Sequence, residues 1–264
     1  MPLSTGLKNQ RILVTAASQG IGFGVARAFL GEGARVVINS SNKERLDKAK
    51  AELSKLGEVH SIVADLSSRD GIEDIVSKTV EYLGGIDTLA YVTGSPARGA
   101  IMEKSYEEWE GAARLLTVSP AYLGRKVGEV MSSSNTKGRM VFSSSFAIRE
   151  PTANLALSNV CRVAIFGLVR SLARELGPKG IRVNGIMQGY VKTARVDTLV
   201  GDAMKRKGIT EKQAIDEITS QIPLGYIGTT EEIAKSFLFL GSEMSSYVSG
   251  AMLPVDGALL KSVG

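Results

Sequence analysis

The chain has 264 residues, 44% of them hydrophobic and 22% charged, which is the composition of a globular protein with one substantial core. A single cysteine, Cys161, excludes an internal disulfide, and with a single histidine, His60, it leaves no basis for a zinc cluster or other metal site. We expect a cytoplasmic protein without nucleic acid or a membrane as partner, because its charge of +5 is dispersed, its apolar runs are short and no secretory signal opens it.

Short apolar runs alternate with longer amphipathic stretches, the pattern of a parallel sheet covered by helices on both faces. The runs, most of them rich in β-branched residues, predict strands at 11–15, 35–39, 61–66, 88–93, 139–144, 182–187 and 252–257. Helical spacing predicts helices from near Gly20, after Asn42 and over about 153–176. The sequence therefore predicts an α/β fold, a Rossmann-type doubly wound sheet of seven parallel strands, in a single domain over 1–264.

Residues 194–221, between the sixth and seventh strands, contain two helical segments and no strand. Long excursions between core elements are often functional, so we expect a helical lid beside the site. A plain surface insertion is the alternative.

A glycine-rich loop, TAASQGIGFG at 15–24, separates the first strand from the first helix. Gly20 and Gly22 allow the backbone to approach a pyrophosphate closely, and the start of the helix directs unpaired amides at the anion. Because the loop lies between a strand and a helix, it indicates a dinucleotide site more strongly than a lone glycine pattern does.

This loop resembles the TGxxxGIG loop of the short-chain dehydrogenase/reductase family: Thr15, Gly20, Ile21 and Gly22 match, and Ala16 stands at the first glycine. The segments VADLS and SSYVSGAMLPVDGA extend the resemblance over nearly the whole chain. It implies an oxidoreductase that acts on a small or medium-sized alcohol or carbonyl compound, and a homotetramer or homodimer formed through the helices near 105–135 and 153–177 and the last strand. It also implies cofactor contacts from Ala17, Ser18, Asp65, Leu66, Thr93, Gly94 and Thr193.

The end of the second strand bears on the choice between NAD and NADP. An acidic residue there would hold the ribose hydroxyls of NAD and repel a 2′-phosphate. This chain has Ser40, Ser41 and Asn42, followed by Lys43, so donors replace the carboxylate and NADP is favoured over NAD. The alternative is that SSNKE forms only a turn and a helix cap, which would leave the cofactor open.

The resemblance places the chemical site at LALSNVCR. In the family, a tyrosine and a lysine four residues later share one helix face, and a serine ~13 residues upstream holds the substrate oxygen. Here Ser158 stands at the tyrosine, Arg162 at the lysine and Ser145 at the serine. A serine hydroxyl is shorter and far less acidic than a phenol, whose pKa is about 10, so we do not expect Ser158 to act as a direct acid. Arg162 keeps the positive charge and is suited to binding ribose hydroxyls.

Two tyrosines, Tyr91 and Tyr190, lie at the ends of strands four and six and are candidates for the missing proton donor, as is a bound water. Tyr190, beside Thr193, is the stronger candidate; ordinary packing is the alternative for both tyrosines. Two functions therefore stay open. The chain is an NAD(P)-dependent oxidoreductase with an altered proton-transfer site, or a cofactor-binding sensor or structural protein without turnover.

Overall fold

Seven strands form one sheet in the computed structural model, which describes residues 4–262. They are β1 (Arg11–Val14), β2 (Arg35–Ser40), β3 (Val59–Val63), β4 (Thr88–Tyr91), β5 (Arg139–Ser145), β6 (Arg182–Gln188) and β7 (Met252–Val255). Every neighbouring pair is parallel, and the strand order is β3-β2-β1-β4-β5-β6-β7. The predicted α/β fold, a Rossmann-type sheet in a single domain, is confirmed; residues 1–3 and 263–264 of the predicted domain lie outside the described residues.

Helices cover both faces of this sheet. They are α1 (Gly20–Gly31), α2 (Lys43–Leu53), α3 (Arg69–Leu83), α4 (Tyr106–Ala113), α5 (Ser119–Ser133), α6 (Ala156–Cys161), α7 (Ala164–Leu176), α8 (Ala194–Lys207), α9 (Glu211–Thr219) and α10 (Thr230–Leu240). One turn of π-helix, Arg114–Val118, joins α4 to α5. Alternate strand residues enter opposite cores: Ile12 and Val14 face the core under α1, α2 and α10, whereas Leu13 faces the core under α3, α5 and α7.

Two predicted elements differ from the structure. The third strand is Val59–Val63 rather than 61–66, because its pairing with β2 runs from Val59 to Val63 and the chain then turns around Asp65, whose carboxylate accepts the amide of Ser67. The predicted helix over 153–176 is wrong as a single element. It starts at Ala156, because Asn154 has a left-handed φ of 59°, and a turn at 162–163 divides it into α6 and α7.

The stretch Ala156–Lys179 is long and apolar enough to cross a membrane by length and composition, with a mean hydropathy of 1.4. A core helix of a soluble protein passes the same test. In this fold α7 packs against β6, and Ile165, Val169 and Leu172 are buried in the core on that face. The apolar character of α7 is therefore explained by its packing on the sheet.

The excursion over 194–221 contains α8 and α9, joined to the sheet where Val191 bridges to Gly228. Its apolar side chains pack with residues that follow β5 and β7 in a third cluster, beside the cores on the two faces of the sheet, and the partly buried Leu260 packs against both this cluster and one of those cores. The buried members of this lid cluster are Phe146, Val196, Val200, Ala214, Ile222, Ile227 and Leu259.

Candidate functional site

The carboxyl ends of all seven strands lie at one edge of the sheet, since every pair is parallel. The strand order reverses between β1 and β4, and in open α/β sheets ligands bind in the crevice formed at such a point. The loop over 15–19 follows β1 there, the loop over 92–99 follows β4, and Ser145 ends β5. The glycine-rich loop, Thr93, Gly94 and Ser145 therefore lie along this edge.

The glycine-rich loop has the close approach that a pyrophosphate site requires. Gly20 has a φ of 59°, and Ala16, at the position of the family's first glycine, has a φ of 47°. A Cβ at Gly22 would lie 2.4 Å from the carbonyl oxygen of Ala16, so only glycine fits without a shift of the loop. The side chain of Gln19 does not cap α1, and the first turn of α1 holds no acidic residue. No side chain therefore caps the first amides of α1, and they are suited to binding an anion.

Two strands hold this loop in place. The hydroxyl of Thr15 donates to the carbonyl of Val92 at 2.5 Å and accepts the amide of Val92 at 2.9 Å, which occupies the Thr15 side chain within the protein. On the other side, the amide of Ala17 donates to the carbonyl of Asn39 at 2.8 Å. The loop is therefore fixed between β4 and β2, and Ile21, in the first turn of α1, packs against the core.

The end of β2 carries hydroxyl and amide groups. The hydroxyls of Ser18 and Ser40 lie 3.0 Å apart, which joins the phosphate loop to β2. Asn42 caps α2 by accepting the amide of Arg45 at 2.9 Å, and Lys43 pairs with Asp47 at 2.5 Å. The helix-cap interpretation therefore holds for Asn42. Ser41, next to Ser40 in the chain, is exposed, and residues 39–43 contain no carboxylate.

The residues predicted at the adenine end follow β3. The Asp65 carboxylate is exposed and accepts both the amide and the hydroxyl of Ser67 at 2.8 Å. The Leu66 side chain is buried in the core against α3, so only its backbone faces outward. Asp65 therefore shapes the turn after β3.

Ser158 and Arg162 form the centre of the predicted chemical site. The Arg162 guanidinium donates through Nε to the Ser158 hydroxyl at 3.1 Å and through Nη2 to the carbonyl of Gly94 at 3.0 Å. Arg162 is only 6% exposed, and burial lowers its pKa. Within residues 4–262, no carboxylate forms an ion pair with it. The site therefore holds a buried cation whose bonds all go to neutral groups.

Further polar groups surround this pair. Ser145 is half-buried at the end of β5, and its oxygen accepts the amide of Ala147 at 3.2 Å. Thr193 precedes α8 and lies beside the phosphate loop, because a Cβ at Gly20 would be 3.5 Å from its methyl group. The hydroxyl of Thr93 is buried and has no hydrogen-bond partner within the protein. An unpaired buried hydroxyl beside the crevice is consistent with a bound cofactor there.

The two tyrosine candidates lie in different surroundings. Tyr91 is fully buried, its hydroxyl donates to the carbonyl of Leu115 at 3.2 Å, and burial raises its pKa far above the ordinary value. Tyr190 is half-buried with its ring 5.3 Å from that of Phe146, and burial also raises its pKa. Both phenols are thus weaker acids than a free tyrosine, and Tyr190 lines a cavity of about 420 Å³ whose lining does not include Ser145 or Ser158.

Two arginines at this edge were missed by the sequence reasoning. Arg98 lies in the loop after β4 and pairs with Asp202 of α8 at 2.5 Å, and Arg195 lies in the first turn of α8. Their positions in the sequence could have identified them as site residues, because each arginine follows the end of a strand that borders the site.

The chain is similar to known oxidoreductases over most of its length. A family model described as enoyl-(acyl carrier protein) reductase matches residues 15–259. The dehydrogenase/reductase SDR family member 2, mitochondrial, of Homo sapiens is 33% identical over 253 residues, covering 95% of this chain and 86% of that protein. The glucose 1-dehydrogenase of Gluconobacter oxydans is 28% identical over 260 residues, covering 98% of this chain and 94% of that protein.

The fold also matches solved structures. L-sorbose reductase from Gluconobacter frateurii, complexed with NADPH and L-sorbose, superposes with a TM-score of 0.94 at 26% sequence identity. The match covers 99% of this chain and 100% of that one. An actinorhodin polyketide ketoreductase variant with NADPH matches with a TM-score of 0.90 at 26% identity, covering 98% and 100% of the two chains.

Proposed function

Because this chain belongs to the short-chain dehydrogenase/reductase family, we propose that it is an NADP-dependent oxidoreductase that interconverts an alcohol and a carbonyl in a small or medium-sized substrate. Two observations support NADP. The L-sorbose reductase similar to this chain is complexed with NADPH, and hydroxyls rather than a carboxylate stand at the end of β2. In this proposal Ser18, Ser40 and Ser41 hold the 2′-phosphate and the first amides of α1 hold the pyrophosphate.

The proposal includes an altered proton-transfer site. The observation that carries it is the bond from Arg162 Nε to the Ser158 hydroxyl, formed where the resemblance expects a lysine and a tyrosine. The guanidinium occupies a lone pair of the Ser158 oxygen, which leaves the O–H free to donate. Arg162 does not serve as the proton donor, because an arginine guanidinium keeps its proton in proteins. Its role is to hold Ser158 and the cofactor ribose.

Bound NADPH supplies the hydride that reduces the carbonyl carbon. The protein has to polarise the carbonyl oxygen and deliver one proton to it. We assign the polarisation to the hydroxyls of Ser145 and Ser158, at the end of β5 and on α6, and the proton to a water that they hold. Tyr190 is the competing donor from the protein.

The test starts with a titration of the protein with NADPH and with NADH, followed by nicotinamide fluorescence. Micromolar binding of NADPH with weaker binding of NADH supports the cofactor assignment, and failure to bind either overturns the function. Turnover is then measured with a carbonyl panel for the unaltered chain, for Ser158→Tyr with Arg162→Lys, and for Tyr190→Phe. Arg170→Lys, at an exposed position on α7, is the matched control. If a water is the proton donor, turnover should persist in Tyr190→Phe and should rise in the variant that combines Ser158→Tyr with Arg162→Lys.

The second candidate is a cofactor-binding sensor or structural protein without turnover. The absence of a tyrosine and a lysine at positions 158 and 162 favours it. It predicts NADPH binding by the unaltered chain, with reduction of carbonyl compounds appearing only in the double variant. Any cofactor-dependent turnover by the unaltered chain contradicts it.

We also propose that α8 and α9 act as a lid and that the chain assembles in the cytoplasm as a homotetramer or a homodimer. Exposed apolar side chains on α6, on the turn after it and on α7 support the assembly, since Val160, Val163 and Phe166 are 54%, 48% and 37% exposed. Light scattering coupled to size-exclusion chromatography measures the mass. A monomer at micromolar concentration would contradict the assembly.

A further inference from the structure

Three arginines surround the predicted chemical site. Arg162 is buried on the turn after α6, Arg98 extends from the loop after β4, and Arg195 is half-buried in the first turn of α8. The Arg98 side chain is 21% exposed, and its Nε is buried with no hydrogen-bond partner within the protein. A buried donor without an acceptor is costly unless a ligand completes it.

Contacts along the backbone fix the segments that carry Arg98 and Arg195. Gly99, next to Arg98, donates its amide to the carbonyl of Asn154 at 2.9 Å and accepts the amide of Ala156 at 3.3 Å. The loop that carries Arg98 is therefore fastened to the start of α6. Arg195 follows Thr193 by two residues, and Thr193 lies beside the phosphate loop.

The charges of this arginine cluster, Arg98, Arg162 and Arg195, are not balanced by the protein. Asp202 pairs with Arg98 and is its one carboxylate partner among residues 4–262. Burial is the main cause that lowers the pKa of both Arg195 and Arg162. Arg98 lowers the pKa of Arg195 further while Asp202 opposes it, and Arg195 lowers that of Arg162 further, so the cations repel one another. Partly buried cations in excess of carboxylates favour an anionic ligand.

The 2′-phosphate of a nucleotide does not account for this excess. The groups assigned to it, Ser18, Ser40 and Ser41, lie at the end of β2, on the other side of β1 from β4 and β6. Arg162 instead bonds to Ser158, and the loop that carries Arg98 is bonded to the start of α6, the helix of Ser158, where the substrate carbonyl would lie. The pyrophosphate, the other anion of the cofactor, is assigned to the first amides of α1. We therefore expect the charge that the arginine cluster lacks on the substrate, and Arg195, two residues after Thr193, is the arginine for which the pyrophosphate is the competing partner.

We propose that the substrate is an anionic carbonyl compound or alcohol, with a carboxylate or phosphate held between Arg98 and Arg195 while its reacting carbon lies at Ser145 and Ser158. This inference rests on the proposed oxidoreductase function and specifies its substrate class. Planar guanidinium groups suit carboxylate and phosphate oxygens, because they donate two parallel hydrogen bonds. The Nε of Arg98 gains its missing acceptor, and Asp202 continues to hold Arg98 in place.

Matched substrates test the charge requirement. With NADPH in excess, kcat/KM is measured for a 2-oxo acid, for its methyl ester and for a phosphorylated ketone of similar size. We expect the acid or the phosphorylated ketone to exceed the ester by about tenfold or more. Which anion is preferred distinguishes a carboxylate from a phosphate substrate. Equal values for the ester and both anions would overturn the inference.

Variants of Arg195 and Arg98 test which residues bind the anionic group of the substrate. Arg195→Gln is expected to raise KM for the anion about tenfold while leaving KM for the ester and the NADPH affinity unchanged. Arg206→Gln, an exposed position in the last turn of α8, is the matched control for loss of charge from that helix. Arg98→Gln is a second variant, with its melting temperature measured because it also loses the Asp202 pair. If Arg195→Gln weakens NADPH binding and does not change the preference for the anion, the arginine belongs to the cofactor site and the inference is wrong.

A binding readout separates this inference from the proposed function. Oxamate, a carboxylate that nicotinamide does not reduce, is added to the NADPH complex, and the shift in melting temperature is compared with that caused by its neutral amide. A shift with oxamate that Arg195→Gln abolishes supports the anion site even if no carbonyl compound turns over, in which case only the oxidoreductase function fails. No shift with oxamate, together with turnover of neutral substrates, would refute the anion site alone.

Discussion

Replacing Gly22 by alanine tests the phosphate loop most directly. The added Cβ would lie 2.4 Å from the carbonyl oxygen of Ala16 and 2.9 Å from the Cα of Ala17. These neighbours are backbone atoms of a loop that hydrogen bonds to Val92 and Asn39 hold on both sides. The loop cannot yield as a flexible side chain would, so the overlap either strains the folded state or moves the amides that would bind the pyrophosphate.

The expected magnitude follows from that overlap. Forcing an extra methyl group into a packed site costs about 1–3 kcal/mol of stability. A displaced loop also loses cofactor affinity, and each 1.4 kcal/mol lost is about tenfold in Kd. We therefore expect Gly22→Ala to lower the free energy of unfolding by about 1–3 kcal/mol and to weaken NADPH binding at least about tenfold.

The assays are urea unfolding, with the slope checked for constancy, and NADPH titration by fluorescence. Gly31→Ala is the matched control, because Gly31 ends the same helix and has no atom within 4 Å of the Cβ that would be added. It should leave NADPH binding unchanged and alter stability by no more than about 1 kcal/mol, in the stabilising direction. Unchanged stability and unchanged NADPH affinity in Gly22→Ala would refute the packing argument for this loop.

Three further predictions concern other parts of the protein. Ala16→Gly removes the strain of a left-handed φ in the folded state, but it also raises the conformational entropy of the unfolded chain. The net effect in urea unfolding should be a stabilisation of less than about 1 kcal/mol, and a clear loss of stability would contradict this. Tyr91→Phe removes the bond to Leu115 and should cost about 1 kcal/mol without changing the pH profile of turnover, and a changed profile would make Tyr91 a proton donor. Arg35 holds the pKa of Glu58 down at about 2, so the stability that this pair contributes is complete above pH 4.5 and is lost as the pH falls towards 2. Glu58→Gln should reduce this decrease in the free energy of unfolding by less than about 1 kcal/mol, because the pair is exposed. The same decrease at low pH in the variant and the unaltered protein would argue against the pairing.

The five central strands could be predicted from the sequence because each is a short apolar run that is buried on both faces of the sheet. The edge strands β3 and β7 are partly exposed, and β3 was predicted too far along the chain. The helix expected over 153–176 could not be predicted in detail. Its start depends on the left-handed Asn154, whose carbonyl accepts the amide of Gly99 from the loop after β4. Tertiary contact of this kind overrides the helical spacing, which is a local signal.

The candidate site likewise has residues that local patterns identify and residues that depend on tertiary contacts. The positions of Gly20, Gly22 and Ser158 could be inferred, because a loop between a strand and a helix and a four-residue spacing are local patterns. Arg98 was missed because its partner, Asp202, is 104 residues away along the chain, and nothing in the spacing relates the two. Unbalanced charge is a property of the folded site and becomes visible only when the groups around it are known.

The lid cluster has a consequence for how the protein moves. α8 and α9 pack on Phe146 and Leu259, which follow β5 and β7, so their opening as a unit would expose the lid cluster but leave the two cores on the faces of the sheet buried. Amide hydrogens of α8 and α9 should then exchange with deuterium well before those of β1 and β4. Arg195 and Asp202 belong to that unit, whereas Arg98 stays with the sheet. Each opening thus separates an ion pair, and salt, which screens exposed charges, should accelerate exchange in α8 more than in α1.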